Sequence, residues 1–238
     1  MKRFWEQAAV VPYQGGYALV LDGKLRHTPA GKPYLCPTPA LAEALAGEWQ
    51  QAPQIFDPRA MAIAQLVATA HDLTASARPA CIERIMQFGA GDQLCFRAAH
   101  PVALARRQQE LWQPYLDWAL TEFDALLLVT EGLLPPEQPP QSLQALRRTV
   151  EAYDDYLLTA LEQACSVTGS LLLALALTQG WQPAAAVFQA AELEAHFQTD
   201  HWGADPEAIA RLSAIESELL TLERFCRMCR WEEARDSH

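Results

Sequence analysis

The sequence predicts an α+β protein, in which a small N-terminal α/β domain over residues 1–100 is followed by a C-terminal all-helical bundle over residues 101–238. Three observations support this division. A hairpin signal lies in the first third of the chain, and apolar residues recur at helical spacing after residue 101. Charge divides at the same place: residues 1–100 carry 8 acidic and 9 basic side chains, whereas residues 101–238 carry 21 and 9.

The N-terminal domain is expected to combine a β-hairpin with packed helices. Residues 17–21 are apolar enough for a strand, Asp22-Gly23 favours a tight turn, and residues 24–28 return as a second strand. Helices are expected where a capping side chain precedes a proline that fits the first helical turn. The predicted elements are a helix from Thr38-Pro39 through Trp49, a helix from Asp57-Pro58 to about Leu73, a helix from Pro79 to near Phe88, and a strand over residues 93–98.

The pattern becomes helical after His100-Pro101. A helix is predicted from Pro101 through Phe123, and Pro114 should kink it or end its first half. Residues 126–130 fit either a strand or an irregular apolar segment, and the proline-rich residues 134–140 form a stiff connector. The remaining predicted helices run from Ser142 to about Ser166, from Leu171 to Gly180, from Pro183 to about Thr199, and from the Asp205-Pro206 cap through Cys229.

Composition narrows the class of protein. Half of the 238 residues are hydrophobic and a fifth are charged, which is typical of a globular chain. A net charge of −11 argues against general binding to nucleic acid or anionic lipid, because such binding needs clustered Lys and Arg. The longest apolar run, residues 171–177, is far shorter than the about 20 residues of a membrane span. With no secretory or mitochondrial leader pattern and six dispersed Cys, we expect a cytoplasmic protein with free thiols.

One stretch is strongly acidic. Residues 149–210 contain nine Asp or Glu side chains and no Lys or Arg. Such a stretch is either a solvated face that aids solubility or a surface for a basic or hydrophobic partner. On a helix, Glu192 and Glu194 point to different faces, so the pair is not a natural acid–base dyad. An exposed recognition face fits these two acids better.

The sequence contains no convincing catalytic or cofactor motif: it lacks a dinucleotide fingerprint, a P-loop, a zinc-protease motif, a nucleophile elbow and the kinase set. Cys226-Arg-Met-Cys229 could form a zinc site with His196 and His201. Both cysteines, however, fit the apolar stripe of a helix, and buried thiols are the favoured interpretation. We therefore predict no catalytic residue, no cofactor and no metal.

Several single residues are candidates for a structural or binding role. Trp49 and Trp112 lie in apolar helical patterns and are expected in the core, or at the edge of a cleft. Asp72, Arg97 and Asp117 are polar residues in apolar surroundings. They could line a small-molecule site at the domain interface, which would make the protein an enzyme with an unrecognised site. The simpler interpretation is a structural ion pair between Arg97 and one acid.

A series of short motifs spans nearly the whole chain in one order. The central motif is residues 92–98, Asp-Gln-Leu-Cys-Phe-Arg-Ala. The others are Lys2-Arg3-Phe4, Gly16-Tyr17, Leu21-Asp22-Gly23, Thr28-Pro29, Pro37-Thr38, Leu41-Ala42, Glu48-Trp49, Pro101, Arg107-Gln108, Trp112, Pro114, Asp117-Trp118, residues 168–171, residues 174–176, Trp202-Gly203 and Asp205. In these motifs the chain resembles the assembly chaperones that act on the alpha subunit of the F₁ sector of ATP synthase, which include mitochondrial F₁ complex assembly factor 2.

The resemblance implies a function without catalysis. A chaperone of this family would bind the unassembled alpha subunit and shield its interface until the beta subunit replaces it. It also implies a small α/β domain followed by a helical bundle, and, without a transit leader, a bacterial member. The family's acidic stretch falls on Glu194, with Glu192 as the alternative because Ala195 and His196 interrupt the acids here; Trp202 and Asp205 complete the expected partner-binding set.

Overall fold

The computed structural model describes residues 1–132, 134, 136–203 and 205–230, with the backbone alone for His201 and Trp202. Within these residues the chain forms two compact units. The first contains residues 1–78 and 154–160 and the described residues from 224 onward; the second contains residues 79–153 and 161–223. The predicted α+β class is confirmed, because the four described strands precede residue 37 and helices follow them. Residues 79–100, which the prediction placed with the N-terminal domain, pack in the second unit.

A small antiparallel sheet lies in the first unit. Its strands are β1 (Ala8–Tyr13), β2 (Gly16–Leu21), β3 (Lys24–Leu25) and β4 (Leu35–Cys36). The central strand is β2, which pairs with each of the other three. The predicted turn at Asp22-Gly23 is present, and both residues have positive φ angles. The predicted second strand is shorter than expected, and β1 is an additional strand whose half-buried side chains lack a clear alternation.

Gly16 is required where β2 meets β4. A Cβ atom at this position would lie 2.7 Å from the main-chain oxygen of Cys36, which is closer than real Cβ contacts. Glycine therefore permits the close approach of the two strands.

The first helix begins as predicted. In α1 (Pro39–Gln50) the hydroxyl of Thr38 accepts a hydrogen bond from the main-chain nitrogen of Leu41 and donates one to the main-chain oxygen of Met228. The helix buries Trp49, whose ring lies 5.0 Å from that of Trp5. Trp49 is therefore a core residue, as predicted.

The second helical segment is less regular than predicted. Asp57 caps a short 3₁₀ turn over residues 58–60, then α2 (Ala62–Thr69) begins and passes into a π-helical turn over residues 70–74. No side chain at the N-cap position, Met61, bonds to the first turn of α2. Instead, the carboxylate of Glu48 accepts hydrogen bonds from the main-chain nitrogens of Ile63 and Ala64, which satisfies free amides at the helix start.

Eight further helices lie in the described part of the chain. They are α3 (Arg78–Ala90), α4 (Val102–Phe123), α5 (Pro140–Glu151), α6 (Asp155–Thr168), α7 (Leu171–Gln179), α8 (Ala184–Ala191), α9 (Leu193–Trp202) and α10 (Pro206–Cys229). Residues 171–178 of α7 are all buried, so this helix forms the centre of the second unit. No helix among the described residues is long and apolar enough to cross a membrane.

Three helical predictions need correction. Pro114 does not end α4; it lies on an exposed face, where water can replace the hydrogen bond that proline cannot make. The predicted helix from Ser142 is two helices, because Asp154 accepts hydrogen bonds from the nitrogens of Tyr156 and Leu157 and so caps a new start. The predicted helix from Pro183 is also two, with Glu192 in a non-helical conformation between them.

The predicted strand over residues 93–98 is wrong. Residues 93–95 form a 3₁₀ turn whose first amides are capped by Asp92, and Phe96 makes a single parallel bridge with Thr130. The strand signal failed because the buried side chain of Asp92 supplies hydrogen bonds that a sheet would otherwise supply.

Candidate functional site

Three side chains from separate parts of the second unit form hydrogen bonds at the junction between α8 and α9. The Nε2 group of Gln93 donates a hydrogen bond to the main-chain oxygen of Ala191 at 2.9 Å. The indole nitrogen of Trp112 donates to the main-chain oxygen of Ala190 at 2.8 Å. These bonds hold the last carbonyls of α8, immediately before the acidic start of α9.

Gln108 makes the third attachment. It is completely buried on α4, and its Nε2 group donates a hydrogen bond to Oε1 of Glu194 at 2.7 Å. Its Oε1 atom accepts from the main-chain nitrogen of Ala98, also at 2.7 Å. Both ends of the amide are therefore engaged, as expected for a buried polar side chain.

Arg97 lies beside this amide. Its Nη1 group donates to the main-chain oxygen of Gln108 at 2.7 Å, and its guanidinium lies 5.3 Å from the ring centre of Trp112. The Nε and Nη2 atoms are buried without a hydrogen-bond partner, and burial lowers the pKa of the group. The expected ion pair between Arg97 and an acid is wrong: no such pair occurs among the described residues, and the arginine packs on an aromatic ring instead.

The acids of α9 and Glu192, which precedes it, differ in whether an arginine neutralises them. Glu192 is bound by Arg211 at 2.7 Å, and only 12% of its side chain is exposed. Asp200 forms an ion pair with Arg107 at 2.9 Å. Glu194 is exposed, and its only described hydrogen bond is the one from Gln108. Its second carboxylate oxygen therefore has no partner within the described residues.

The other two predicted partner-binding residues are less informative. One carboxylate oxygen of Asp205 accepts a hydrogen bond from the main-chain nitrogen of Ala208 at 2.8 Å, so this residue caps α10 as predicted. Trp202 is the last residue of α9, but its side chain lies outside the described part of the structure.

A pocket of about 260 Å³ opens beside the start of α9. It is lined by Arg107, Glu110, Leu111, Gln189, Leu193 and His196. The His196 ring packs edge-on against Phe188 at 5.3 Å, and its Nε2 atom is buried without a partner. The pocket is smaller than the about 300–1,000 Å³ sites that hold drug-sized ligands.

Asp92 is a buried residue whose hydrogen bonds stabilise the turn that carries Gln93. Its buried carboxylate accepts hydrogen bonds from the main-chain nitrogens of Leu94 and Leu172, each at 3.0 Å, and from the hydroxyl of Ser170. Burial raises its pKa to about 6, although these hydrogen bonds lower it in part. The residue thus joins the turn that carries Gln93 to the first turn of α7.

The remaining candidate residues have local structural partners. Asp72 accepts hydrogen bonds from the hydroxyl of Thr28 at 2.7 Å and from the main-chain nitrogen of Ala30 at 3.1 Å. Asp117 is exposed and accepts a bond from Gln113 at 2.8 Å, one helical turn earlier. These contacts are typical of turn and surface stabilisation.

A groove of about 810 Å³ lies in the first unit along one face of α1. Its acids include Glu48, whose pKa is raised by burial. That carboxylate is occupied by the amides that begin α2, so its altered pKa has a structural cause. The groove therefore contains no free buried acid that would indicate catalysis.

The cysteine motif has the environment expected of packed thiols. Cys226 is buried in α10, and burial raises the pKa of the Cys229 thiol well above its usual value. Among the described residues no group of three or more His, Cys, Asp or Glu side chains is arranged to hold a metal ion. The side chain of His201, a residue of the zinc alternative, lies outside the described part.

Sequence reasoning missed the roles of Gln93 and Gln108. Both appear in the motifs that carried the resemblance, yet a single glutamine has no chemical signature that predicts a distant partner. The available signal was a polar residue on the apolar side of α4, beside Leu111 and Trp112.

Comparisons with known proteins agree with one another. A family model described as ATP12 chaperone protein matches residues 2–120. Mitochondrial protein atp12 of Schizosaccharomyces pombe is 22% identical over 219 residues, which cover 87% of this chain and 75% of that protein. The crystal structure of Atp12 from Paracoccus denitrificans is 36% identical, covers 96% of this chain and 98% of that one, and has a TM-score of 0.91. The Atu1473 protein of Agrobacterium tumefaciens is 35% identical, with 95% and 85% coverage and a TM-score of 0.90.

Proposed function

The chain belongs to the ATP12 chaperone family, and we propose that, as an assembly chaperone for the F₁ sector of ATP synthase, it binds the unassembled alpha subunit. Bound chaperone would cover the alpha surface that later meets the beta subunit. The beta subunit would then replace the chaperone because it binds that surface better. This partner exchange needs no chemical step.

The exposed carboxylate of Glu194 is the observation that indicates which surface would bind the alpha subunit. It lies in the acidic stretch that the family resemblance links to client binding, and it is the acid of the Glu192–Glu194 pair that is not neutralised by an arginine. A partly free carboxylate on a rigid junction is suited to a basic side chain of a partner protein. We assign the client contact to Glu194, with Trp202 and Asp205 nearby in sequence.

We further propose that the chain has no catalytic activity of its own and acts in the bacterial cytoplasm. The polar candidates for an active site, Asp72, Arg97 and Asp117, each have a local partner that accounts for their position. The bacterial relatives, at 35–36% identity, are also more similar to this chain than the mitochondrial protein of S. pombe at 22%.

The test is binding of the purified full chain to the separately purified alpha and beta subunits of the same species. We expect a complex with alpha, no stable complex with beta, and release of alpha when beta is added. Failure to bind alpha, together with unchanged ATP synthase levels in a deletion strain, would refute the proposal.

A further inference from the structure

The contact between Gln108 and Glu194 links a buried residue, Gln108, to an exposed carboxylate. Gln108 is completely buried, whereas Glu194 is exposed. The amide of Gln108 thus joins the interior of the second unit to one oxygen of the surface carboxylate. A long surface side chain normally samples several rotamers, and this hydrogen bond removes much of that freedom.

The orientation of the Gln108 amide is fixed by its other neighbour. The main-chain nitrogen of Ala98 can only donate, so the atom that faces it must be the amide oxygen. The amide nitrogen therefore faces Glu194, where a carboxylate is the matching acceptor.

The main chain of Gln108 is held as well. Arg97, the residue before Ala98, donates a hydrogen bond to the main-chain oxygen of Gln108. Two consecutive residues, Arg97 and Ala98, thus clamp the main chain and the side chain of the same glutamine. The position of Oε1 of Glu194 is set by this clamp rather than by solvent.

We propose that Gln108 is a positioning residue for client binding: it holds Oε1 of Glu194 so that Oε2 is presented to a basic side chain of the client. The inference rests on the proposed function. A lysine or arginine fits because the free oxygen carries negative charge and has no cationic partner among the described residues. Fixing the carboxylate before the client arrives lowers the ordering cost of binding.

The first test compares the affinity of wild type, Gln108→Met and Glu194→Asp for the purified alpha subunit. Gln108→Met keeps the bulk of the side chain and removes both the donor to Glu194 and the acceptor for the amide of Ala98. We expect about tenfold weaker binding, the scale of one lost hydrogen bond to a charged group. Glu194→Asp keeps the charge at an exposed position but shortens the side chain, so it cannot reach Gln108. We expect a similar loss without a change in thermal unfolding, which keeps the test valid if Gln108→Met folds poorly.

A second test separates positioning from simple stability. In the double variant Gln108→Glu with Glu194→Gln, the new pair can still form a hydrogen bond, and the acid at position 108 can still accept from Ala98. We expect the double variant to unfold closer to the wild-type temperature than Gln108→Glu alone. Client affinity should stay low, because the charge has moved from the surface to the interior.

The outcomes distinguish the two proposals. A wild-type chain that does not bind alpha overturns the proposed function. A wild-type chain that binds, together with wild-type affinity of a folded Gln108→Met variant, overturns the positioning role alone; where Gln108→Met does not fold, wild-type affinity of Glu194→Asp overturns it. Recovery of full affinity in the double variant would also overturn it, since hydrogen bonding without the surface charge would then suffice.

Discussion

The indole nitrogen of Trp112 donates a hydrogen bond to the main-chain oxygen of Ala190, which joins the middle of α4 to the end of α8 just before the acidic start of α9. The indole ring is almost fully buried and also lies beneath the guanidinium of Arg97. Trp112 is therefore a structural residue of the second unit and not a surface anchor.

Replacing Trp112 with phenylalanine should destabilise the second unit. The change removes the hydrogen bond to Ala190 and part of a buried ring, which together contribute about 1–3 kcal/mol to the free energy of unfolding. Urea unfolding followed by circular dichroism would measure the loss. Trp181→Phe is the control, because Trp181 is 36% exposed and stacks on Trp118; it should lose less. Equal losses in the two variants would contradict the structural role of the Trp112 bond.

Glu194→Lys should weaken binding to the alpha subunit by about tenfold or more, because it replaces an attractive charge at the proposed contact with a repulsive one. Glu194 is exposed, so the midpoint of thermal unfolding should change little. Isothermal titration with purified alpha subunit would measure the affinity.

Glu122→Lys is the matched control for this prediction. It makes the same charge change at an exposed position of α4. It should leave affinity within about twofold of wild type, since long-range effects of one exposed charge are screened by salt. Equal weakening by both variants would show that net charge matters and not the site at Glu194.

Local signals and distant contacts differ in how well the sequence predicts them. The caps at Thr38 and Asp205 were predicted, because each depends on a side chain and an amide three residues away. The contact between Gln108 and Glu194 joins residues 86 positions apart, so it depends on packing that no local pattern encodes. The strand expected over residues 93–98 failed because the buried Asp92 accepts hydrogen bonds both from the nearby amide of Leu94 and from the amide of Leu172, 80 residues away.

Because of Asp92, the free energy of unfolding should decrease as the pH rises. Burial raises its pKa to about 6 in the folded state, against about 3.9 for an unperturbed Asp. Between these values the folded state holds more protons than the unfolded state, so stability is lost as the pH rises through 6. The full shift of about two pKa units corresponds to a loss of about 3 kcal/mol in the free energy of unfolding, at about 1.36 kcal/mol for each unit.

The measurement is the free energy of unfolding of wild type and Asp92→Asn between pH 4 and pH 7. Asparagine cannot ionise, so the wild type should lose about 2 kcal/mol relative to the variant between pH 4 and pH 7; the rest of the effect lies below pH 4, where the unfolded Asp becomes protonated. Asp117→Asn, at an exposed carboxylate, is the control and should run parallel to wild type. Parallel curves for Asp92→Asn and wild type would show that the buried carboxyl does not titrate as expected.

The same substitution, glycine to alanine, should have opposite effects at two positions of the first unit. At Gly16 the new Cβ would lie 2.7 Å from the main-chain oxygen of Cys36, so β2 and β4 must separate. We expect a loss of about 1–3 kcal/mol, the usual scale of overpacking. At Gly47, within α1, the new Cβ meets nothing within 4 Å, and alanine should gain about 0.5–1 kcal/mol from helix propensity. Urea unfolding of both variants would test this, and a loss at Gly47 as large as that at Gly16 would show that backbone crowding between β2 and β4 is not the cause.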